Sequence, residues 1–161
     1  MVDIMGKKIP DIKLVKMDSE KGPQPLSILD YCMDKKVVMF GVPGAFTPTC
    51  SRNHLPGFIE KADDMKARGI DEVICFATND IFTLSAWEEM SGSIGKILFL
   101  SDSKAKFSKS IGTDFPDSFG TSTKTQRCSI LINDGTVEKF FVEEEDGQVS
   151  VSSADNMLEN I

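Results

Sequence analysis

The sequence predicts an α/β sandwich, with a central mixed sheet flanked by helices. Three observations predict it. Two continuous apolar runs, "KVVMFGV" (36–42) and "EVICFAT" (72–78), read as strands buried on both faces. Helix-like segments alternate with these strands, as a parallel core with crossover helices requires. Near the end, Asp134-Gly135 joins two strand-like segments, which is a hairpin signal of the strongest short kind.

The elements follow in order. "DIKLVKM" (11–17) alternates apolar and polar residues, as an N-terminal extension strand at an edge would. After the first buried strand, residues 48 to about 68 read as a helix, with Gly69 as its stop. After the second, "IFTLSAWEEMS" (81–91) reads as an amphipathic helix opened by Asn79-Asp80. "KILFLSD" (96–102) is a third core strand and 104–111 a short helix. "RCSILIND" (127–134) and "TVEKFFVEE" (136–144) form the late β-hairpin, and 153–161 is a closing helix. The acidic run "EEED" (143–146) reads as a solvated turn before Gly147. This order fits a thioredoxin-like fold; a flavodoxin-like sheet would not end in a hairpin. No repeat, linker or low-complexity segment interrupts the 161 residues, so 1–161 is expected to be one domain.

Bulk properties narrow the function. Forty per cent hydrophobic and 27 per cent charged residues describe an ordinary soluble composition. A net charge of −7, with scattered Lys and Arg, argues against nucleic-acid or anionic-membrane partners. No apolar run approaches the roughly 20 residues of a membrane span. The first residues carry no secretory h-region, so a cytoplasmic setting is expected, although a removed organelle leader would leave no trace here. The four cysteines Cys32, Cys50, Cys75 and Cys128 form no C-x-x-C, and His54 is the single histidine. No metal or cofactor site is expected. Free thiols in a reducing compartment are the better reading than a disulfide framework.

The stretch "FGVPGAFTPTCSRNHLPGF" (40–58) carries the chemistry. Thr47 suits an N-cap and Pro48 the first helical position, which puts Cys50 in the first turn. Backbone N–H groups and the positive end of the helix dipole favour a thiolate there. The sulfur also lies beyond the carboxyl end of a buried strand, where α/β folds place their sites. Each residue has a plainer reading. Cys50 would be a small core residue, Thr47 only a cap, Pro43 loop punctuation, and Arg127 an exposed strand-end arginine. His54, four residues after Cys50, would be a base or, more simply, a packing residue. Pro56 should kink or unwind the helix, because it removes a backbone hydrogen bond.

"VPGAFTPTCSRNHLPGF" closely resembles the active-site segment of peroxiredoxins, specifically the atypical type II, peroxiredoxin-5-like subfamily. The resemblance continues in "GIDEVICFATNDIFTLSAWEE", "GKILFLSD" and "QRCSILINDGTVEKFFVEE" and covers nearly the whole chain. It implies a thiol peroxidase for hydrogen peroxide and organic hydroperoxides, with a role in antioxidant defence and no cofactor. Cys50 would be the peroxidatic nucleophile that becomes a sulfenic acid. Thr47 would contact the peroxide, Arg127 would stabilise negative charge, and Pro43 would shield the sulfur.

Some members of this subfamily carry a C-terminal resolving cysteine; here Val151 aligns at its place. Cys75 is the alternative resolving residue, but it lies in a buried strand. The expectation is therefore a one-cysteine cycle closed by an outside thiol, either glutathione with glutaredoxin or thioredoxin. A homodimer that uses the region around Phe46 and Pro48 is also implied. The competing readings are a thiol–disulfide oxidoreductase, disfavoured by the missing C-x-x-C, and a non-enzymatic redox-signalling or binding module.

Overall fold

Alternating and continuous apolar runs become strands where the two periodicities place them. The computed structural model describes residues 3–117, 120, 122–145 and 147–161. The first alternating segment forms β1 (Lys13–Asp18), paired antiparallel with β2 (Gly22–Ser27). A short helix, α1 (Ile28–Cys32), leads to β3 (Lys36–Gly41). A loop and a π-turn (Cys50–His54) then run into α2 (Leu55–Ala67). The core continues as β4 (Glu72–Ala77), α3 (Ile81–Ser91), β5 (Leu98–Ser101) and α4 (Lys106–Ser110). A small pair, β6 (Asp114–Pro116) and β7 (Thr123–Thr125), precedes the hairpin β8 (Cys128–Asn133) and β9 (Thr136–Val142). Helix α5 (Ala154–Glu159) closes the chain, its N-terminus capped by the Ser153 side chain.

Among the described residues the main sheet has seven strands in the order β2-β1-β5-β4-β3-β8-β9. Strands β3, β4 and β5 are parallel, and the flanking pairs are antiparallel, so the sheet is mixed and thioredoxin-like as expected. Alternation along β3 splits the core. Val38 and Phe40 face one cluster, with Leu55 and Phe58 of α2 and Trp87 of α3. Val37 and Met39 face the other, with Phe107 of α4 and Ile130 of β8. Cys50 belongs to the first cluster and Cys128 to the second.

Gly41 ends β3 where there is no room for a side chain. A Cβ there would lie 2.6 Å from the Phe76 ring. The hairpin turn is what its sequence signals. Asp134 and Gly135 both have positive φ, 49° and 77°, as a primed turn demands.

Two expectations need correction, and one element is new. The N-terminal extension is a hairpin and not one strand. β2 contains Pro23 and Pro25, which argue against a strand in sequence. At the sheet edge they are tolerated, because every second N–H points away from β1. The β6–β7 pair was not anticipated either. Finally, the acidic run is not a wholly solvated turn. Glu143 is 3% exposed because its carboxylate accepts four hydrogen bonds, from Ser150 and Ser152. Glu144 and Glu145 are exposed, and Asp146 lies outside the described residues.

Candidate active site

The loop leaving β3 carries Pro43, half-buried, then Gly44, Ala45, Phe46 and Thr47. Helical structure begins at Pro48, as expected, and the Ser51 amide donates to the Thr47 carbonyl at 2.9 Å. The Thr47 side chain behaves differently from an amide cap. Its Oγ1 donates to the Gly44 carbonyl at 2.6 Å, which folds the exposed loop onto itself. Phe46 is 46% exposed with φ of 64°, a conformation that costs a bulky residue energy. The Ala45 amide donates to Asn79 Oδ1 at 2.9 Å, which ties the loop to the β4–α3 junction. The sequence reading gave Asn79 only a helix-opening role; its hold on the loop joins residues 34 apart in the chain.

Cys50 opens the π-turn, and the Leu55 amide donates back to its carbonyl. Pro56 explains this widening. It has no N–H for the carbonyl four residues earlier, and its ring would press on that carbonyl in a regular α-helix. The expected disturbance by Pro56 is thus a π-turn. Trp87 Nε1 donates to Ser51 Oγ at 3.2 Å and holds the turn against α3.

The decisive contact comes from the other end of the chain. Arg127 Nη2 donates to Cys50 Sγ at 3.2 Å. Arg127 is 2% exposed and Cys50 wholly buried. Arg127 is therefore not an exposed strand-end residue. Its Nη1 donates to His54 Nδ1 at 3.1 Å, and His54 Nε2 donates to the Ser152 carbonyl at 2.9 Å. Both ring nitrogens of His54 are occupied, so it is no base for Cys50. Burial first, and then the Arg127 charge, push His54 down to about 3, where the Ser152 bond and Glu143 only partly oppose them.

A match to the Redoxin family covers residues 4–158. Peroxiredoxin-2B of Arabidopsis thaliana is 38% identical over 156 residues, spanning 96% of this chain and 95% of that one. The chain belongs to the peroxiredoxin family. Another peroxiredoxin, Pen c 3 of Penicillium citrinum, is 43% identical over 129 residues, 80% of this chain and 74% of that one. Among solved structures, reduced Prx3 from Vibrio vulnificus in complex with H2O2 superposes with a TM-score of 0.92. It is 37% identical and each chain is covered to 99%.

The other cysteines of this peroxiredoxin are buried and free. Cys32 and Cys128 are each pushed up to about 12, chiefly by burial. Cys128 faces the second cluster, away from Cys50, as strand alternation requires. Cys75 sits opposite Phe40 on the Cys50 side of the sheet. Burial, then the nearby Cys50 and Cys128, push its thiol well above the ordinary value. All three are poor thiolates.

Proposed function

We propose that this chain is a thiol peroxidase in which Cys50 is the attacking residue. The observation that supports it best is the buried guanidinium of Arg127 set 3.2 Å from Cys50 Sγ. A permanent positive charge in a water-poor site stabilises the thiolate. The thiolate attacks one peroxide oxygen, the S–O bond forms, and the O–O bond breaks. The second oxygen leaves as hydroxide or alkoxide and takes up a proton. Arg127 also stabilises the charge that grows on the oxygens. Thr47 lies exposed at the loop tip; its hydroxyl gives up Gly44 to meet the peroxide. Pro43 screens the sulfur from bulk water.

The sulfenic acid on Cys50 is then reduced by two outside thiol equivalents, which leave as a disulfide and water. We assign this step to glutathione with glutaredoxin, or to thioredoxin, and place the protein in antioxidant defence. The one-cysteine cycle rests on Val151 at the position of a resolving cysteine and on the buried Cys75. Cys50 has no exposed surface, so a bulky reductant reaches it only after the loop or π-turn moves. The subtype we favour is the atypical type II. Peroxiredoxin 5 of Alvinella pompejana is consistent with it, at a TM-score of 0.77 and 30% identity over 89% of this chain and 91% of that one.

Among the described residues no helix is long and apolar enough to cross a membrane. Four free thiols fit a reducing compartment, and we keep the cytosol as the setting. The deciding experiment is Cys50→Ser. It should abolish peroxide consumption while preserving the circular-dichroism spectrum; substantial turnover would sink the reading. We also infer a homodimer built around Phe46. That side chain is exposed next to Trp87, and Phe82 and Met90 of α3 are 65% and 78% exposed. Phe46→Glu should shift the sedimentation coefficient to that of a monomer; a monomeric parent protein would refute the assignment.

A further inference from the structure

The neighbours of His54 leave it one arrangement of protons. The Ser152 carbonyl can only accept, so Nε2, 2.9 Å away, carries the hydrogen. The Arg127 guanidinium can only donate, so Nδ1, 3.1 Å away, is the bare lone pair. A second proton would set one N–H against another. With Nη1 engaged in this way, Nη2 of the same rigid fork is the atom presented to Cys50 Sγ. The position of Ser152 therefore bears, through His54, on where the Arg127 charge points.

Ser152 is in turn held by Glu143. Its amide and hydroxyl donate to Glu143 Oε2 at 2.8 and 2.6 Å. The Ser150 amide and hydroxyl add bonds of 2.8 and 2.9 Å to the same carboxylate. Burial alone would raise the Glu143 carboxyl, but these bonds outweigh it and keep the group below its usual range. The Glu143 amide also donates to the Arg127 carbonyl at 2.9 Å. One residue thus holds Arg127 twice, directly at the backbone and through Ser152 and His54 at the side chain.

We propose that Glu143 is a positioning residue of this site: through Ser152 and His54 it fixes the guanidinium of Arg127 on Cys50 Sγ. The proposal rests on Cys50 being the attacking thiolate. The plainer role is a tack that fastens residues 147–153 onto β9. The two roles differ in what His54 does. Arg127 disfavours its protonated form and Glu143 favours it, so imidazole signals report the chain of contacts directly.

Because His54 is the single histidine, its long-range proton–nitrogen NMR spectrum is unambiguous. In the parent protein it should show the Nε2–H tautomer and no titration between about pH 5 and 8. Glu143→Gln keeps the shape but turns one acceptor oxygen into an NH2 donor, so the four bonds from Ser150 and Ser152 can no longer all be made. It should give mixed tautomers of His54, and peroxide reduction slowed roughly tenfold, the scale on which outer partners of a site act. Ser152→Ala removes only the hydroxyl bond and should shift both readouts the same way by less; it decides the matter if Glu143→Gln does not fold. A lowered melting temperature with parental His54 signals and parental rate would overturn the proposal. So would a change in either readout without the other. The spectrum is recorded without peroxide, so a failure of the peroxidase reading, seen as full activity in Cys50→Ser, stays a separate result.

Discussion

Arg127 shows most clearly what a single residue does here. A buried guanidinium is tolerated only with good partners, and its contacts include a neutral imidazole and the Cys50 sulfur. That arrangement sets a permanent positive charge beside the sulfur. Arg127→Gln should therefore slow peroxide reduction by roughly 10²–10³, the cost of losing a preorganised oxyanion donor. Arg127→Lys should recover little, because an ammonium has no rigid fork to reach His54 and Cys50 together. Stopped-flow rates with excess peroxide measure both, and an unchanged rate in Arg127→Gln would reduce Arg127 to a packing residue. At this scale the sequence was partly legible. Cys50, Thr47 and Pro43 lie within one short motif, and Arg127 came from the family resemblance. The actual contact of Thr47, and the parts of Asn79, Glu143 and Ser152, were not legible. They depend on contacts between distant segments, and a run of three glutamates reads as solvent-exposed until the chain closes over one of them.

At the scale of elements, local rules and tertiary context divide the outcome. The Asp134-Gly135 hairpin and the helix capped by Asp80 formed where their chemistry put them, since both are decided within a few residues. β2 was hidden because its prolines are acceptable only at an edge, and edges are a property of the whole sheet. The π-turn at Cys50 was visible only as an expected disturbance near Pro56. It bears on the fate of oxidised Cys50. Cys50 and Cys75 lie in one cluster, but each is fully buried, one in a strand and one in the turn. A disulfide requires Cα atoms within about 7 Å and converging Cβ vectors, which a paired strand cannot readily adjust. One equivalent of peroxide without thiol should add one oxygen, trappable as a sulfenic acid on Cys50. A loss of two hydrogens with a Cys50–Cys75 cross-linked peptide would make Cys75 the resolving residue.

For the whole molecule, the polar network that orders the site also sets how stability responds to acid. His54 is ordinarily protonated below about 6.5 in an unfolded chain but is held to about 3 in the fold. Between these values the unfolded state binds the extra proton, so stability falls as pH falls. Glu143 acts in the same direction. Its carboxyl is lowered in the fold, so its contribution is complete above the ordinary carboxylate range and is lost as pH drops through the folded value. The net charge works the other way. It is −7 at neutral pH and vanishes near 4.7, which relieves repulsion between exposed carboxylates. That relief is spread over a screened surface, whereas His54 is one fully desolvated group. The His54 effect should therefore win, costing on the order of 2 kcal/mol by about pH 5. For a chain of this length that corresponds to a melting temperature lower by roughly 4–8 °C than at neutral pH. His54→Gln, whose amide can donate to the Ser152 carbonyl and accept from Arg127, has no proton to gain in this range and should show a clearly shallower decline. Differential scanning calorimetry from neutral pH to about pH 5 compares the two slopes. Equal slopes would mean that His54 titrates normally in the fold, which is incompatible with its place between Arg127 and Ser152.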